Sequence, residues 1–333
     1  MRVGLAGCGR IGRMHAEVLR GLEGVKELLL ADVAAAAATE LADHLGVVAA
    51  GTVDDLFDAG VDALVVATAT ESHARLVERG VASGLPTFCE KPLAADVPGT
   101  LALVGRIAGS DVPVQVGFQR RFDPGYLRAR DLLRSGSLGW VHHIRSVTAD
   151  QSPPPEEFIA RSGGLFRDCL VHDFDSIRWL TGREVASVYA RGSNRGAPFF
   201  AEHGDVDSAA VLLTLDDGTL ATVSSTRYNG AGYDVRLEVL GQKGSVVAGL
   251  DDHTPLTSAE DGVVFPAGPA WPAFPGRFAA AYRNELAAFL AVARGDAPNP
   301  CTPQDALEAF YVAEAAELSR REDRPVDLSE VRR

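Results

Sequence analysis

Arg2-Val3-Gly4-Leu5-Ala6-Gly7-Cys8-Gly9-Arg10-Ile11-Gly12 opens the chain, and Glu27-Leu28-Leu29-Leu30-Ala31-Asp32 follows after a helix expected over about 11–20. The order is apolar strand, glycine loop, helix, apolar strand, acid, with Asp32 twenty residues beyond Gly12. Each part suits the holding of a dinucleotide. Gly7 permits a tight turn, Gly9 leaves the backbone bare for a pyrophosphate, and Gly12 lets the helix approach the sheet. The backbone amides around Arg10, Ile11 and Gly12 stand at the positive end of the helix dipole, which favours phosphate charge. Asp32 can accept hydrogen bonds from both ribose hydroxyls. A 2′-phosphate would meet its carboxylate, and Val33 supplies no cation to reverse that, so NAD is expected rather than NADP.

The pattern continues outward. Helices are expected at 34–45, 53–57, 72–83 and 96–108, and strands at 47–50, 63–67, 86–89 and 112–117. Ala63-Leu64-Val65-Val66-Ala67 has no polar alternation, as befits a strand covered on both faces. Alternating strands and helices predict a doubly wound parallel sheet over residues 1–121. Ligands of such sheets bind beyond the C-terminal strand ends. Gly7 to Gly12, Asp32, Thr68 and Thr70, and Glu90-Lys91-Pro92 all fall on that edge. His73 lies in the first turn of the following helix, and with Thr68, Thr70 and Glu90 it completes the expected cofactor set.

The texture changes after Arg121. Helices are expected at 124–134 and 166–180, and strands at 140–148, 185–191, 206–215, 219–228, 233–240 and 245–248. Several alternate apolar with polar residues, and Asp216-Asp217-Gly218 reads as a hairpin turn, so the sheet should be mostly antiparallel with one open face. Residues 250–273 are a Gly-, Pro- and Asp-rich excursion, followed by helices at 278–293 and 303–321. The expected division is therefore an α/β chain of two domains, 1–121 and 122–333, whose C-terminal helix can pack back on the first. The open sheet face is the candidate interface for a homo-oligomer.

Bulk properties narrow the partners. A net charge of −13 over 333 residues opposes a nucleic-acid partner, which needs a basic face. No apolar run is long enough to cross a membrane, and the first strand begins at once, leaving no room for a signal peptide. Cys8, Cys89, Cys169 and Cys301 form no close pair, which fits a reducing cytoplasm and suggests neither disulfide nor metal site.

Two clusters carry candidate chemistry. Lys91 stands at a strand exit beside the proposed cofactor, with Pro92 biasing it toward an extended backbone. Asp168 and His172 are four apart, so a helix places them on one face, with Asp175 on the same side. Histidine is the natural base near neutral pH, and a neighbouring carboxylate orients it. Taken alone, the spacing is equally that of a structural histidine.

With these motifs in view, the chain resembles the glucose–fructose oxidoreductase/inositol dehydrogenase/MocA (Gfo/Idh/MocA) family over essentially its whole length. The resemblance rests on Gly7 to Gly12, Phe88-Cys89-Glu90-Lys91-Pro92-Leu93, Gly117-Phe118-Gln119-Arg120-Arg121-Phe122-Asp123, Gly163-Gly164-Leu165-Phe166-Arg167-Asp168 and His172-Asp173-Phe174-Asp175. It is nearest to the inositol 2-dehydrogenase branch. It implies a Rossmann domain followed by an α/β domain whose sheet forms dimers or tetramers. It also implies Lys91, Asp168 and His172 as the catalytic set. The family's inositol dehydrogenases carry His-x-Asn before the proline-rich loop; here Ala149-Asp150-Gln151-Ser152 stands instead, which leaves the substrate open.

The expected reaction is NAD-dependent oxidation of a ring hydroxyl, with His172 as base, Lys91 on the same oxygen and Asp168 positioning both. Candidate polyol contacts are Arg120, Asp150, Gln151, Asp175, Tyr233 and Tyr282. Each also has a plain structural reading: an ion pair for Arg120, a solvated loop for Asp150 and Gln151, a helix-surface carboxylate for Asp175, and packing for the two tyrosines. The rival readings are a pyranose or aminocyclitol dehydrogenase, a glycosidase using NAD transiently, and an NAD-sensing protein without catalysis.

Overall fold

The computed structural model describes residues 1–266 and 268–332. It divides into two compact units, the first made of Met1–Phe122 and Ala279–Leu307, the second of Asp123–Phe278 and Glu308–Arg333. The cut expected at 121/122 therefore describes only one crossing of the chain. Helix Ala279–Ala293 belongs to the first unit, because its apolar side supplies Leu286, Phe289 and Leu290 to that unit's core.

The first unit begins β1 (Arg2–Ala6), α1 (Arg10–Arg20), β2 (Glu27–Ala31), α2 (Ala35–Leu45), β3 (Val48–Ala49) and α3 (Val53–Asp58). It continues β4 (Ala63–Val66), α4 (His73–Ala82), β5 (Thr87–Glu90), α5 (Val97–Ile107) and β6 (Val114–Gly117). All six strands are parallel, in the order β3-β2-β1-β4-β5-β6. The order reverses between β1 and β4, where such sheets open a crevice for ligands. Local signals set the helix ends. Thr52 and Asp55 form a reciprocal capping box on α3, and Asp96 accepts the Gly99 amide at 2.7 Å to start α5.

The second unit holds α6 (Pro124–Arg134), β7 (Val141–Ala149), α7 (Glu156–Ile159), α8 (Val171–Thr181), β8 (Val185–Ser193), α9 (Phe199–Glu202), β9 (Ser208–Leu215), β10 (Leu220–Thr226), β11 (Asp234–Gly241), β12 (Gly244–Ala248) and α10 (Phe274–Arg277). The chain then passes through α11 (Ala279–Ala293) and α12 (Pro303–Glu322) to β13 (Val326–Asp327). The seven strands run β12-β11-β7-β10-β9-β8-β13. The sheet is mixed: β7 and β10 are parallel neighbours and the other pairs antiparallel. Ala209, Val211, Leu213, Ala221 and Val223 point into the core, while Leu212 and Leu220 on the other face are about 40% exposed. One face is thus covered and one open.

The helix expected over 166–180 differs from its plain reading. A π turn spans Phe166–Leu170 before α8 begins, so Asp168 lies in a widened turn and His172 in the regular helix after it.

Candidate functional site

In the first unit the glycine loop has the shape a pyrophosphate requires. Gly7 has φ +101°, and a Cβ there would come within 2.5 Å of the Ala67 carbonyl oxygen, so the exits of β1 and β4 press together. A Cβ on Gly12 would overlap the Gly7 carbonyl. At Gly9 a Cβ would meet nothing within 4 Å. Gly9 is also the N-cap of α1, with no side chain capping that end and no acid in its first turn. The amides and the dipole there are suited to an anion. Asp32 accepts hydrogen bonds from the Cys8 amide at 2.7 Å and the Ala34 amide at 2.9 Å, which fix its carboxylate at the end of β2. These residues fit a dinucleotide: open space over bare backbone, an uncapped helix start, and an oriented acid at the end of the next strand. The Cys8 thiol is pushed up to about 11 by burial and then by Asp32.

Thr68, Thr70, His73, Glu90 and Lys91 lie at the exits of β4 and β5 on the same sheet edge. His73 is 2% exposed, with Nδ1 2.7 Å from the Pro92 carbonyl oxygen and Nε2 3.0 Å from that of Thr68. It ties two loops together instead of presenting its ring to a ligand. Lys91 is half-buried, and the Lys91–Pro92 bond is cis.

Glu90 is held from two sides. His15, fully buried on α1, has Nε2 2.6 Å from Glu90 Oε1. A carboxylate only accepts, so Nε2 carries the proton. Gly117 sits opposite Glu90 in the β5–β6 register, and a Cβ there would stand 2.9 Å from Glu90 Oε2. Sequence reasoning missed His15, which is separated from Glu90 by 75 residues and lies on the buried side of α1. Tyr282 packs here too, its ring edge-on to His15 at 5.9 Å, on α11. Its placement is therefore in the first unit, with the cofactor-side residues. Arg120 is 2% exposed in a short 3-10 turn, Gln119–Phe122, directly after β6.

In the second unit the candidates collect where β7 and β10 end and β11 begins. Asp150 follows β7, its amide donating to the Thr226 carbonyl at 2.9 Å. Tyr233 precedes β11, whose first residue pairs with Ala149. On the other side of Asp150, at the end of β10, stands a residue the sequence analysis did not single out. Arg227 is 3% exposed; Nη1 donates to Asp150 and Nη2 to Asp168, each at 2.8 Å. Burial works against its charge, but Cys169, Asp168 and Asp150 outweigh it and hold the guanidinium firmly protonated. A signal for Arg227 was present: Ala221, Val223 and Ser225 are the inward positions of β10, and Arg227 is the next on that face. The Cys169 thiol lies 3.9 Å from Asp168 and 4.0 Å from Asp150.

Gly163 and Gly164, both at positive φ, lead into the π turn that carries Asp168. Asp205 accepts the Leu165 amide at 2.9 Å and sits against Gly164, where a Cβ would be 3.1 Å from its Oδ1. His172 is half-buried in the first turn of α8. Asp175 is fully buried, so it is not the surface carboxylate its plain reading implied, and its charge acts on Arg178. Gln151 is exposed in the loop after Asp150. Among the described residues no group of three or more His, Cys, Asp or Glu is arranged to hold a metal, and no helix is long and apolar enough to cross a membrane.

Comparison with known proteins agrees with both units. Residues 1–118 match the model of an oxidoreductase family with an NAD-binding Rossmann fold, and residues 126–247 match the GFO/IDH/MocA C-terminal domain. The chain is 42% identical to the myo-inositol dehydrogenase Hyg17 of Streptomyces leeuwenhoekii, over 96% of this chain and 97% of the relative. It is similar to the crystal structure of a putative myo-inositol dehydrogenase from Sinorhizobium meliloti, with 34% identity and a TM-score of 0.90, covering 98% and 99% of the two chains. It is also similar to scyllo-inositol dehydrogenase from Lactobacillus casei with bound NAD(H) and scyllo-inositol, at 29% identity and a TM-score of 0.86, covering 99% of each. The chain belongs to the Gfo/Idh/MocA family of oxidoreductases, with an NAD-binding Rossmann domain and that family's C-terminal domain.

Proposed function

We propose that the chain oxidises a secondary ring hydroxyl of a cyclic polyol to a ketone, with myo-inositol to scyllo-inosose (2-keto-myo-inositol) as the reaction. The observation that carries this is the grouping, on one sheet edge, of the bare Gly9 backbone, the oriented Asp32 and the ammonium-bearing Lys91. The near full-length likeness to inositol dehydrogenases supports the choice of substrate.

Gly7, Gly9, Arg10, Ile11 and Gly12 would hold the pyrophosphate, Asp32 the adenosine ribose, and the Thr68–Thr70 and Glu90–Lys91 exits the nicotinamide half. The chemistry supplied by a bound NAD would be acceptance of the hydride that leaves the carbinol carbon. Lys91 Nζ donates a hydrogen bond to the substrate oxygen and stabilises the negative charge that grows there. A ring nitrogen of His172 takes the hydroxyl proton. Asp168 orients the substrate and the base. Asp150, Gln151, Tyr233, Arg120, Asp175 and Tyr282 remain the candidate hydroxyl contacts, and Arg227 joins them as the partner of two. The open face of the second unit's sheet is the surface through which we read the chain as forming a dimer or tetramer.

A pyranose or aminocyclitol is the second reading, favoured by Asp150, whose carboxylate accepts from an amine as readily as from a hydroxyl. Turnover of myo-inositol, scyllo-inositol, glucose, galactose and xylose, followed by the absorbance of the reduced nicotinamide, separates the two. Replacing Lys91 by Ala should leave NAD affinity close to wild type and lower turnover at least about 100-fold. Near-normal turnover by purified Lys91→Ala protein refutes the assigned role.

A further inference from the structure

Asp150 and Asp168 come from separate elements, the end of β7 and the π turn before α8, yet one guanidinium binds both. Nη1 and Nη2 of a single planar group each hold one carboxylate at 2.8 Å. The Cys169 thiol lies near the same two carboxylates, 4.0 Å from Asp150 and 3.9 Å from Asp168. The side chains of Asp150, Asp168 and Arg227 are 24%, 18% and 4% exposed, so the cation lies beneath and the two acids nearer the surface. Backbone bonds fix both strand ends: the Arg227 amide donates to the Asp207 carbonyl at 2.8 Å, and the Asn229 amide to that of Asp150 at 2.8 Å.

A bridge of this kind does two things. It removes the repulsion that would drive two neighbouring carboxylates apart, and it fixes the direction in which each presents its oxygens. Arginine does this through its rigid fork of donors, which a lysine ammonium cannot reproduce. A ring polyol carries hydroxyls on neighbouring carbons, and each hydroxyl needs an acceptor in a set position.

We propose that Arg227 is the positioning residue of the substrate half-site: it aligns Asp150 and Asp168 as a pair of acceptors for neighbouring hydroxyls of a ring polyol. It touches no reacting atom and acts through the two carboxylates. The inference rests on the reading of the chain as a polyol dehydrogenase, and it assigns the aligning role to a residue outside the Lys91, Asp168 and His172 set.

The test uses full-length Arg227→Ala, Arg227→Lys and the double variant Arg227→Met/Asp150→Asn, which keeps the net charge of the cluster. The probes are myo-inositol, NAD and guanidinium chloride at low millimolar concentration. Arg227→Ala should raise the KM for myo-inositol and lower kcat/KM about 100-fold, the scale of a misplaced site group, while the NAD dissociation constant stays at the wild-type value. Guanidinium should restore part of kcat/KM saturably in Arg227→Ala and raise its thermal midpoint, with neither effect in wild type. Arg227→Lys should recover less than guanidinium does. If Arg227→Ala does not fold, the double variant carries the test, and its kcat/KM should stay low because Asp168 has lost its anchor. Wild-type kcat/KM in either variant, or no selective response of Arg227→Ala to guanidinium, overturns the proposal. If wild type turns over no polyol at all, the polyol dehydrogenase reading fails by itself. The guanidinium-dependent rise in the thermal midpoint of Arg227→Ala then still decides whether a guanidinium pins the two acids.

Discussion

Two glycines three residues apart should respond in opposite ways to the same methyl group. Gly9 has φ −69° and ψ −166°, an extended conformation open to alanine, and its added Cβ meets nothing within 4 Å. Gly9→Ala should therefore shift folding stability by no more than about 1 kcal/mol. The same methyl fills the space over the start of α1 where a pyrophosphate would approach. Losing one hydrogen bond to a charged group costs about 1.5–3 kcal/mol, so NAD should bind about 10- to 100-fold more weakly. At Gly12 the added Cβ overlaps the Gly7 carbonyl, which belongs to the turn out of β1 and cannot yield like a flexible side chain. Gly12→Ala should cost about 3 kcal/mol or more, since α1 must move off the sheet. Thermal unfolding gives the stabilities and isothermal titration calorimetry the NAD affinities of the three proteins. Wild-type NAD affinity in Gly9→Ala would remove the phosphate from this loop. Wild-type stability in Gly12→Ala would refute the close helix–sheet approach.

Two further outcomes follow from the same edge of the sheet. Asp32→Ala should weaken NAD by about 10-fold or more and NADP much less, because only the unphosphorylated ribose uses the carboxylate; equal losses in titrations of both cofactors would contradict this. Burial and Asp32 push the Cys8 thiol up to about 11, and burial and Glu90 hold Cys89 well above the usual thiol range, so both stay protonated at pH 8. Iodoacetamide at pH 8 should label the half-buried Cys169 first and reach Cys8 and Cys89 only on unfolding, as read by peptide mapping; labelling of Cys8 as fast as Cys169 would contradict the assigned burial.

What could be read from the residues was whatever is settled locally. Gly7, Gly9, Gly12 and Asp32 lie within one strand–helix–strand unit, and their spacing already states their geometry. Most of the longer strands and helices were recovered for the same reason, with Thr52, Asp96 and Asp123 at helix starts, while the short elements α7, α9, α10 and β13 were not. Long-range pairing was not legible. His15 and Glu90 meet only once β1, β4 and β5 are side by side, and Arg227 finds Asp150 only because β7 and β10 are parallel neighbours. That parallel pair is itself a product of sheet order, which alternation within a strand does not encode. The π turn at Phe166–Leu170 was hidden because an extra backbone residue in a helix leaves no compositional mark. Tyr282 was grouped with Asp150 and Tyr233 on residue type alone, whereas its helix is built into the first unit's core.

That helix bears on how the protein is made. Leu286, Phe289 and Leu290 cover part of the same core as Val3, Leu5, Leu30 and Phe88, and Phe88 lies 5.8 Å from Phe289, ring centre to ring centre. A ribosome that has finished residue 122 has delivered every strand of the parallel sheet but not the part of its cover that α11 supplies. The nascent chain must carry that bare apolar surface through the synthesis of Asp123–Phe278, the first and longer segment of the second unit, before α11 emerges. A shortened gene ending at 122 would leave the surface bare permanently, and its product would be an aggregating fragment instead of a free-standing cofactor-binding domain.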